Sequence, residues 1–290
     1  MKKKLVISLL TCVAMLPLGV LYLFSDFIFC VVYRVLRYRK KVVRKNLTEA
    51  FPEKSEREIG NIEKEYYHFM CDIIVETVKL LHISPRQLRR RVEVTNPDIV
   101  NACVAEGRSA VLMLGHYGNW EWVQEITNVI IDGPFKASIY RPLNSRLWNE
   151  VYQRIRSRWN VEIIPQKSAV KVLLDKAHQP WVCGFIADAR PRHVEEDAKV
   201  PFLNHLTSFI YGPEVLGRKV GADFFFLEME RVQRGYYRIT FHPLDGHGEK
   251  EPYPVTRQFW KQFEAVIKKS PAYWLWSHKR WKFDSLIDKG

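Results

Sequence analysis

The sequence predicts an α/β protein, with a largely parallel central sheet wrapped by helices and a membrane-anchoring helix at the N-terminus. Short apolar runs alternate with helix-length segments from Ser109 onward, which predicts the sheet and its helices. Apolar residues make up 47% of the chain, enough for a sizeable core. An apolar run from Leu5 to Tyr33 predicts the anchor. We therefore expect an anchor with its basic flank, residues 1–45, and one large domain, residues 46–290.

The composition indicates an anionic partner and a reducing compartment. The 290 residues carry a formal net charge of +13, and such an excess favours nucleic acid, a membrane surface or an acidic substrate. The five cysteines are scattered and show neither a CxxC pair nor metal-ligand spacing. They are therefore expected to be structural and not to form a disulfide framework.

The N-terminal apolar run decides the class of anionic partner. It contains one charge, Asp26, and is long enough to cross a bilayer. Its length and the lack of a small-residue cleavage site argue against a cleaved signal peptide. Pro17 and Gly19 interrupt it, so it either spans once or lies along the interface. Basic residues follow and favour the cytoplasmic face and anionic headgroups: Arg34, Arg37, Arg39, Lys40, Lys41, Arg44 and Lys45.

The elements of the large domain follow in order. Helical periodicity begins near Ser55, which forms a predicted capping box with Glu58. The predicted strands are Ala110–Leu114, Phe135–Tyr140, Val161–Ile164, Val182–Ala187, Phe224–Glu230 and Tyr236–Pro243. The predicted helices among them are Trp120–Ile131, Asn144–Trp159, Ala169–Ala177 and Pro213–Val220. Ligands of such sheets bind beyond the carboxyl ends of the strands, which is where His116 is expected.

His116 and Glu121 form a candidate catalytic pair within the stretch SAVLMLGHYGNWEWV, residues 109–123. A His at a strand end can form a dyad with a carboxylate in the first turn of the following helix. Glu121 would accept a hydrogen bond from one ring nitrogen, and the other nitrogen would take a proton from a hydroxyl. The spacing also occurs by chance, so a packed, non-catalytic His is the alternative.

Several motifs resemble those of the bacterial lipid A late acyltransferases, within the H-x4-D/E glycerolipid acyltransferase superfamily. HYGNWE, from His116, resembles the family's H-[FY]-G-N-W-E segment, and YRPLN, from Tyr140, resembles Y-R-P-x-N. VCGFIADARPR, which contains Asp188, resembles a strand-Asp segment, although Ala189 stands where members often have Gln. VVRKNLTEAFPE and SPAYWLWSHKRWK extend the resemblance over about Leu5–Lys282.

The resemblance implies a membrane-bound O-acyltransferase at the cytoplasmic face of the bacterial inner membrane. It would move a fatty acyl chain from an acyl thioester to a hydroxyl of a lipid A precursor, without a cofactor. Acyl carrier protein is the favoured donor and acyl-CoA the alternative. The catalytic residues would be His116, Glu121 and Arg156, the last of which corresponds to a functional Arg of the family when counted from the Y-R-P segment.

The implied chemistry also assigns binding roles. His116 would remove the hydroxyl proton, Glu121 would stabilise the imidazolium, and backbone N–H groups around Gly118 and Asn119, with Arg156, would face the oxyanion. Cations would bind phosphates, with Arg192 as a further candidate. The residues expected to bind substrate are Gly118, Asn119, Arg141, Asp188, Arg190, Lys279 and Arg280.

Other functions stay open at this point. No nucleic-acid motif is found, so a catalytically inactive membrane scaffold of the same fold is the stronger rival. Lysophosphatidic acid, an aminoacyl lipid or another glycolipid are alternative acceptors. The acidic stretch 193–197 is expected to be solvated rather than to bind a metal. The C-terminal tryptophans suit either a membrane interface or the core: Trp274, Trp276 and Trp281.

Overall fold

The computed structural model describes residues 2–123, 125, 133–141, 145–248, 250–282 and 284–286. The N-terminal part is helical, with α1 (Lys2–Met15), α2 (Leu18–Phe29), α3 (Lys40–Ala50), α4 (Glu56–Lys79) and α5 (Pro85–Arg89). A π-helical segment, Cys30–Val35, continues α2. The predicted capping box is present at the start of α4, where Ser55 and Glu58 bond each other's backbone N–H. Helix α3 continues across the boundary expected at residue 45.

The remaining elements alternate strands with helices. They are β1 (Val92–Val94), α6 (Asp98–Ala105), β2 (Ala110–Leu114), β3 (Phe135–Tyr140), α7 (Arg146–Arg156), β4 (Glu162–Pro165), α8 (Ala169–Asp175), β5 (Trp181–Ile186), β6 (Lys199–Phe202), β7 (His205–Ser208), α9 (Gly212–Lys219), β8 (Asp223–Gln233), β9 (Tyr236–Pro243), α10 (Pro254–Lys269) and β10 (Ser285–Leu286). The six predicted strands are all present, three of them with the expected bounds. Four short strands, β1, β6, β7 and β10, were not predicted.

The central sheet is largely parallel, which confirms the predicted fold class. Its strand order is β1-β9-β8-β2-β5-β3-β4, and within this sheet the β8–β9 hairpin is the only antiparallel pair among the described strands. Strand β2 lies between β5 and β8, and all five of its residues are buried. An apolar run without alternation is what a central strand covered on both faces requires. The small sheet β10-β7-β6 lies outside it.

The segment after β2 differs from the helix predicted over Trp120–Ile131. Trp120 and Glu121 lie in a turn, Trp122 and Val123 are in 3-10 conformation, and residues 124 and 126–131 lie outside the described residues. The turn has a local cause: the side-chain oxygen of Asn119 accepts hydrogen bonds from the backbone N–H groups of Glu121 and Trp122. A side chain that bonds the backbone in this way favours a turn over a regular helix.

The C-terminal tryptophans belong to the core. Trp274, Trp276 and Trp281 are at most 9% exposed. Trp274 and Trp281 pack against Phe202 of β6 with ring centroids 5.5 Å and 6.3 Å away. Of the two alternatives that the sequence left open, the structure therefore favours core packing, because side chains this deeply buried offer no surface to lipid.

The N-terminal apolar run forms two helices that lie along α4. Pro17 separates α1 from α2, and the Lys79 ammonium donates to the carbonyls of Ala14 and Leu16 at the break. Further along, Ser25 donates to Asp72 at 2.7 Å. The outward face stays apolar and exposed, and the segment Leu18–Val35 is long and apolar enough to cross a membrane. Its exposed large side chains, with those of α1, are Leu5, Leu9, Met15, Val20, Leu23, Phe24, Phe27 and Val35.

Candidate active site

His116 lies two residues beyond the end of β2, at the carboxyl edge of the sheet. Its Nδ1 is 2.8 Å from Oδ1 of Asp188, and its backbone N–H donates to Oδ2 of the same carboxylate at 3.0 Å. Trp274 donates its indole N–H to that Oδ2 at 2.9 Å. Asp188 is buried, whereas the His116 side chain is 30% exposed. One ring nitrogen is thus fixed by the protein, and Nε2 is the nitrogen left to meet a ligand.

The register of β2 and β5 explains this pairing. Leu114 lies opposite Ile186 in the parallel ladder, so the residues two positions further along each chain meet beyond the strand ends. These residues are His116 and Asp188. Two polar side chains at the carboxyl ends of adjacent parallel strands are the usual origin of an active site in such sheets.

The sequence predicts that Glu121 orients the His116 ring by accepting a hydrogen bond from one of its nitrogens. In the structure, the partner of Nδ1 is Asp188. Glu121 follows in a turn, not in the first turn of a regular helix, and its backbone N–H bonds Asn119. Its side chain is buried, and its negative charge acts on His116 by raising the pKa of the imidazole. Asp188, expected to bind substrate, is instead the carboxylate that holds the ring.

Electrostatics favour the charged forms of both partners. Burial lowers the pKa of His116, but the charge and hydrogen bond of Asp188, with the charge of Glu121, outweigh it and raise the pKa above 6.5. Burial alone would raise the pKa of Asp188, yet the His116 charge and the bonds from His116 and Trp274 lower it to about 2. Asp188 therefore stays ionised at neutral pH, ready to stabilise an imidazolium.

The turn after His116 is held by the C-terminal segment. The N–H of Gly118 donates to the carbonyl of Tyr273 at 3.1 Å, and the N–H of Leu275 donates to the carbonyl of His116 at 3.1 Å. Gly118 has φ +61°, and a Cβ there would collide with the carbonyl oxygen of Met229. Only Gly fits this position. The prediction that the Gly118 N–H faces an oxyanion is wrong, because that donor is already bonded within the protein.

Asn119 is fully buried and works within the turn. Its Oδ1 accepts the N–H groups of Glu121 and Trp122, and its Nδ2 donates to Glu76 of α4 at 2.5 Å. These bonds occupy both ends of the amide, so the Asn119 side chain supports the site from behind and does not face a ligand.

A cavity of about 860 Å³ opens beside His116. It runs along the sheet towards β3 and is bordered by α7, α8 and α9. Its volume lies in the upper range for small-molecule sites. Trp120, Glu121 and His278 lie with His116 on its wall. The apolar side chains that line it include Leu112, Leu114, Val123, Ile139, Val161, Val182, Phe185, Ile186 and Leu216.

The predicted cationic residues divide into three groups. Arg141, Arg190 and Arg192 line the cavity, with Arg141 exposed. Lys279 is exposed but does not line it. Arg156 ends α7, and its side chain lies outside the described part of the structure. With Lys136, which also lines it, the cavity carries apolar walls and four Lys or Arg side chains among its described residues.

The prediction that Arg280 binds a phosphate is wrong. Arg280 is 1% exposed, donates to the carbonyl of Ser208 and lies 3.5 Å from the carboxylate of Asp284. Its guanidinium stacks over the Trp260 ring, and burial lowers its pKa to about 10. The side chain is committed to the core, where a guanidinium with paired charge and aromatic contact is tolerated.

Neither metal ligands nor disulfides are found in the described part of the chain. No group of three or more His, Cys, Asp or Glu residues there is arranged to hold a metal ion. All five cysteines are free thiols. Two acids of the stretch near His193 have partners within the protein. Glu195 accepts from the Tyr211 hydroxyl at 2.6 Å, and Glu196 pairs with Lys199.

A His–carboxylate pair beside a cavity with apolar walls, at the carboxyl edge of an α/β sheet, is the arrangement expected of an enzyme that acts on an apolar substrate. The chain belongs to the bacterial lipid A biosynthesis acyltransferase family, whose model matches residues 2–283. It is therefore an O-acyltransferase by class.

Curated relatives carry the same family name. The chain is 25% identical to the lipid A biosynthesis palmitoleoyltransferase of Escherichia coli (strain K12), over 85% of this chain and 80% of that protein. It is 24% identical to the lipid A biosynthesis lauroyltransferase of the same strain, over 95% of this chain and 90% of that protein. A lipid A biosynthesis acyltransferase of Shigella flexneri matches at 25% identity over 85% of this chain and 80% of its own length.

Two functional contacts were missed from the sequence. The role of Asp188 required the β2–β5 register, although its position after an apolar strand was a usable signal. The sequence predicts for Trp274 only a place in the core or at a membrane interface. In the structure, its indole N–H also donates to the Asp188 carboxylate and fixes it. A Trp within a motif of mixed polar residues is a signal for such a bond, because a buried indole N–H usually finds an acceptor.

Proposed function

We propose that this protein transfers a fatty acyl chain from an acyl carrier protein thioester to a hydroxyl of a lipid A precursor, at the cytoplasmic face of the bacterial inner membrane. One observation carries the proposal: His116, held by Asp188, lies on the wall of an apolar cavity of about 860 Å³. The relatives named for palmitoleoyl and lauroyl transfer support the substrate class.

The chemistry needs a base and a place for the developing charge. Nε2 of His116 removes the proton of the acceptor hydroxyl as that oxygen attacks the thioester carbonyl carbon. The C–S bond of the tetrahedral intermediate then breaks, and the imidazolium returns its proton to the departing thiolate. Products are an ester and a free thiol. Asp188 fixes the ring tautomer and, with Glu121, stabilises the imidazolium.

The oxyanion donors are a separate part of the proposal. The Gly118 N–H is bonded to Tyr273, and Asn119 is fully buried and does not line the cavity, so the remaining candidate from the sequence is the guanidinium of Arg156. Donors aimed at the developing oxyanion supply a large share of the rate enhancement in acyl transfer. We assign this role to Arg156.

The cavity is proposed to hold the acyl chain. Burying a methylene contributes about 0.8 kcal/mol, so a chain of about a dozen carbons gains roughly 9 kcal/mol from apolar walls. Arg141, Arg190 and Arg192 on the same cavity are placed to bind phosphates of the acceptor or donor. Lys279 is proposed as an outer phosphate contact.

Transfer to a lipid A-type acceptor is tested with purified protein in detergent micelles. We expect turnover of a labelled acyl carrier protein thioester with a lipid A precursor as acceptor, and little with lysophosphatidic acid, an aminoacyl lipid or an unrelated glycolipid. The acyl-CoA of the same chain length is assayed in parallel as the alternative donor. Turnover with lysophosphatidic acid alone would replace the proposed acceptor, and turnover with none would favour the inactive scaffold.

Membrane attachment is proposed to use residues 1–45, with residues 46–290 as the catalytic domain. The exposed apolar face of α1 and α2 supplies the buried area, and the basic flank from Arg34 to Lys45 contacts anionic headgroups. We expect the protein to sediment with membranes and to need detergent for release.

A surface variant sharpens the attachment test. Leu23 and Phe27 are 70% and 68% exposed. The double substitution Leu23→Glu and Phe27→Glu should release a large part of the protein into the supernatant. Charged side chains at these positions would have to leave water for the membrane, at a cost of about 2.5–3.5 kcal/mol each at the centre of the bilayer and less near its surface. Val215→Glu, on α9 at 49% exposure, is the matched control and should stay membrane-bound. Full release of the unmodified protein by high salt would contradict the anchor.

A further inference from the structure

We propose that Glu76 is a positioning residue for the acyl transfer, which holds the catalytic turn through Asn119 and ties that turn to α2. This inference rests on the proposed function. Glu76 lies on α4, outside the motifs that carry the family resemblance, and it is fully buried. It touches no reacting atom, so its effect must pass through its neighbours.

The contacts of Glu76 join four elements at one carboxylate. Oε2 accepts from Nδ2 of Asn119 at 2.5 Å and from the Tyr237 hydroxyl at 2.7 Å. Oε1 accepts from the Tyr22 hydroxyl at 2.7 Å. The Glu76 carbonyl also accepts from the Trp122 indole N–H at 3.0 Å. One side chain thereby links α2, α4, β9 and the turn that follows His116.

The carboxylate decides which way the Asn119 amide points. A carboxylate only accepts hydrogen bonds, so it selects the NH₂ end of the amide. The opposite end, Oδ1, is then directed to the N–H groups of Glu121 and Trp122. With the amide reversed, two backbone donors would face an NH₂ group. Glu76 therefore fixes the turn that places Glu121 near His116.

Retaining an acid at this position costs stability. Burial raises the pKa of Glu76 to about 7, against the lowering effect of the hydrogen bonds from Tyr22 and Tyr237. A buried acid is readily replaced by a neutral group where only packing matters. Its contacts with the catalytic turn give a functional reason for the acid, and its bond to Tyr22 places the apolar helix α2 in the same network.

The test exchanges the two partners. Assayed well above pH 7, where Glu76 is ionised, Asn119→Asp sets two carboxylates against each other and should lower kcat on the order of tenfold or more, with KM for donor and acceptor little changed. Adding Glu76→Gln should restore kcat, because the Gln amide then donates to the Asp carboxylate. Glu76→Leu, which leaves the Asn119 amide unpaired, should lower kcat without rescue. Retained kcat in Glu76→Leu, or an Asn119→Asp defect that Glu76→Gln leaves unchanged, would overturn the proposal.

The contact between Glu76 and α2 is tested with two matched Tyr variants. Tyr22→Phe removes a hydroxyl bonded to Glu76, and Tyr33→Phe removes one bonded to Glu63 at 3.1 Å. Only the first should lower kcat, by a few-fold. Equal effects of the two variants would overturn the link.

An activity-independent measurement separates failure of this inference from failure of the proposed function. The titration of His116 is followed by NMR of ring-labelled histidine, with the resonance identified by its loss in His116→Ala. Asn119→Asp should displace the titration because Glu121 moves, and Glu76→Gln should return it in the double variant. Identical titrations in all variants would overturn the positioning role, whether or not acyl transfer is detected.

Discussion

Replacing His116 with Ala is expected to lower turnover of the acyl thioester by on the order of 10²–10⁴, the usual contribution of a general base. Folding and membrane attachment should persist, because the side chain is partly exposed and its ring bonds only Asp188 among the described contacts. The measurement is the initial rate of ester formation with thermal unfolding as the control for stability.

A second histidine on the same cavity gives the matched variant. His193 lines the cavity and is exposed, so His193→Ala changes the same residue type without touching the His116–Asp188 pair. It should keep a rate within a few-fold of the unmodified enzyme. Unmodified turnover in His116→Ala would remove His116 from the mechanism.

Asp188→Asn is the second substitution with a large expected effect. The amide keeps the shape of the carboxylate but cannot stabilise an imidazolium, and it favours the wrong ring tautomer. The corresponding change in serine proteases lowers kcat by about 10⁴, so a loss on the order of 10²–10⁴ is expected here. Glu228→Gln is the matched control, since Glu228 lies 2.8 Å from His242 in a pair that does not line the cavity.

The pH profile of the same variant has a defined sign. A general base works when unprotonated, so kcat/KM rises with pH through the pKa of His116, which is raised above 6.5. The charge of Asp188 is the main interaction that raises this pKa, so the acid limb should move to lower pH in Asp188→Asn. An unmoved limb would mean that another group controls the profile.

The strands of the central sheet could be predicted because their signal is local. The apolar run Ala110–Leu114 and the polar residues that follow it identify a buried strand and its end without knowledge of any neighbour. The pairing of β2 with β5 is different, because nothing local to either strand states their register. The sequence places both His116 and Asp188 at strand ends, but the two residues are 72 positions apart in the chain and meet only through the fold.

The residues predicted wrongly fail for the same physical reason. Nothing in the sequence near Gly118 indicates that its backbone N–H is bonded. The acceptor is the carbonyl of Tyr273, which only the fold brings close. Arg280 follows two other basic or polar residues, a pattern typical of a surface cation. In the structure it is buried and bonds the carbonyl of Ser208 in the small sheet. Burial and long-range hydrogen bonds are properties of the folded chain, and residue type alone does not determine them.

Glu76 illustrates what periodicity conceals. Helix α4 carries several acids, of which Glu63, Asp72 and Glu76 are buried, and the sequence pattern does not show which of them meets Asn119. Its role follows only from the crossing of α4 behind the catalytic turn, where Tyr22 and Tyr237 reach the same carboxylate.

If His116 and Asp188 act as one unit in acyl transfer, their effects on the rate are not independent, and a double-mutant cycle measures that dependence. The initial rate of transfer from the acyl carrier protein thioester is measured for His116→Ala, Asp188→Asn and the double variant. Once the imidazole is gone, Asp188 has no ring to orient, so the double variant should be no slower than His116→Ala. A double variant whose loss equals the product of the two single losses would contradict it.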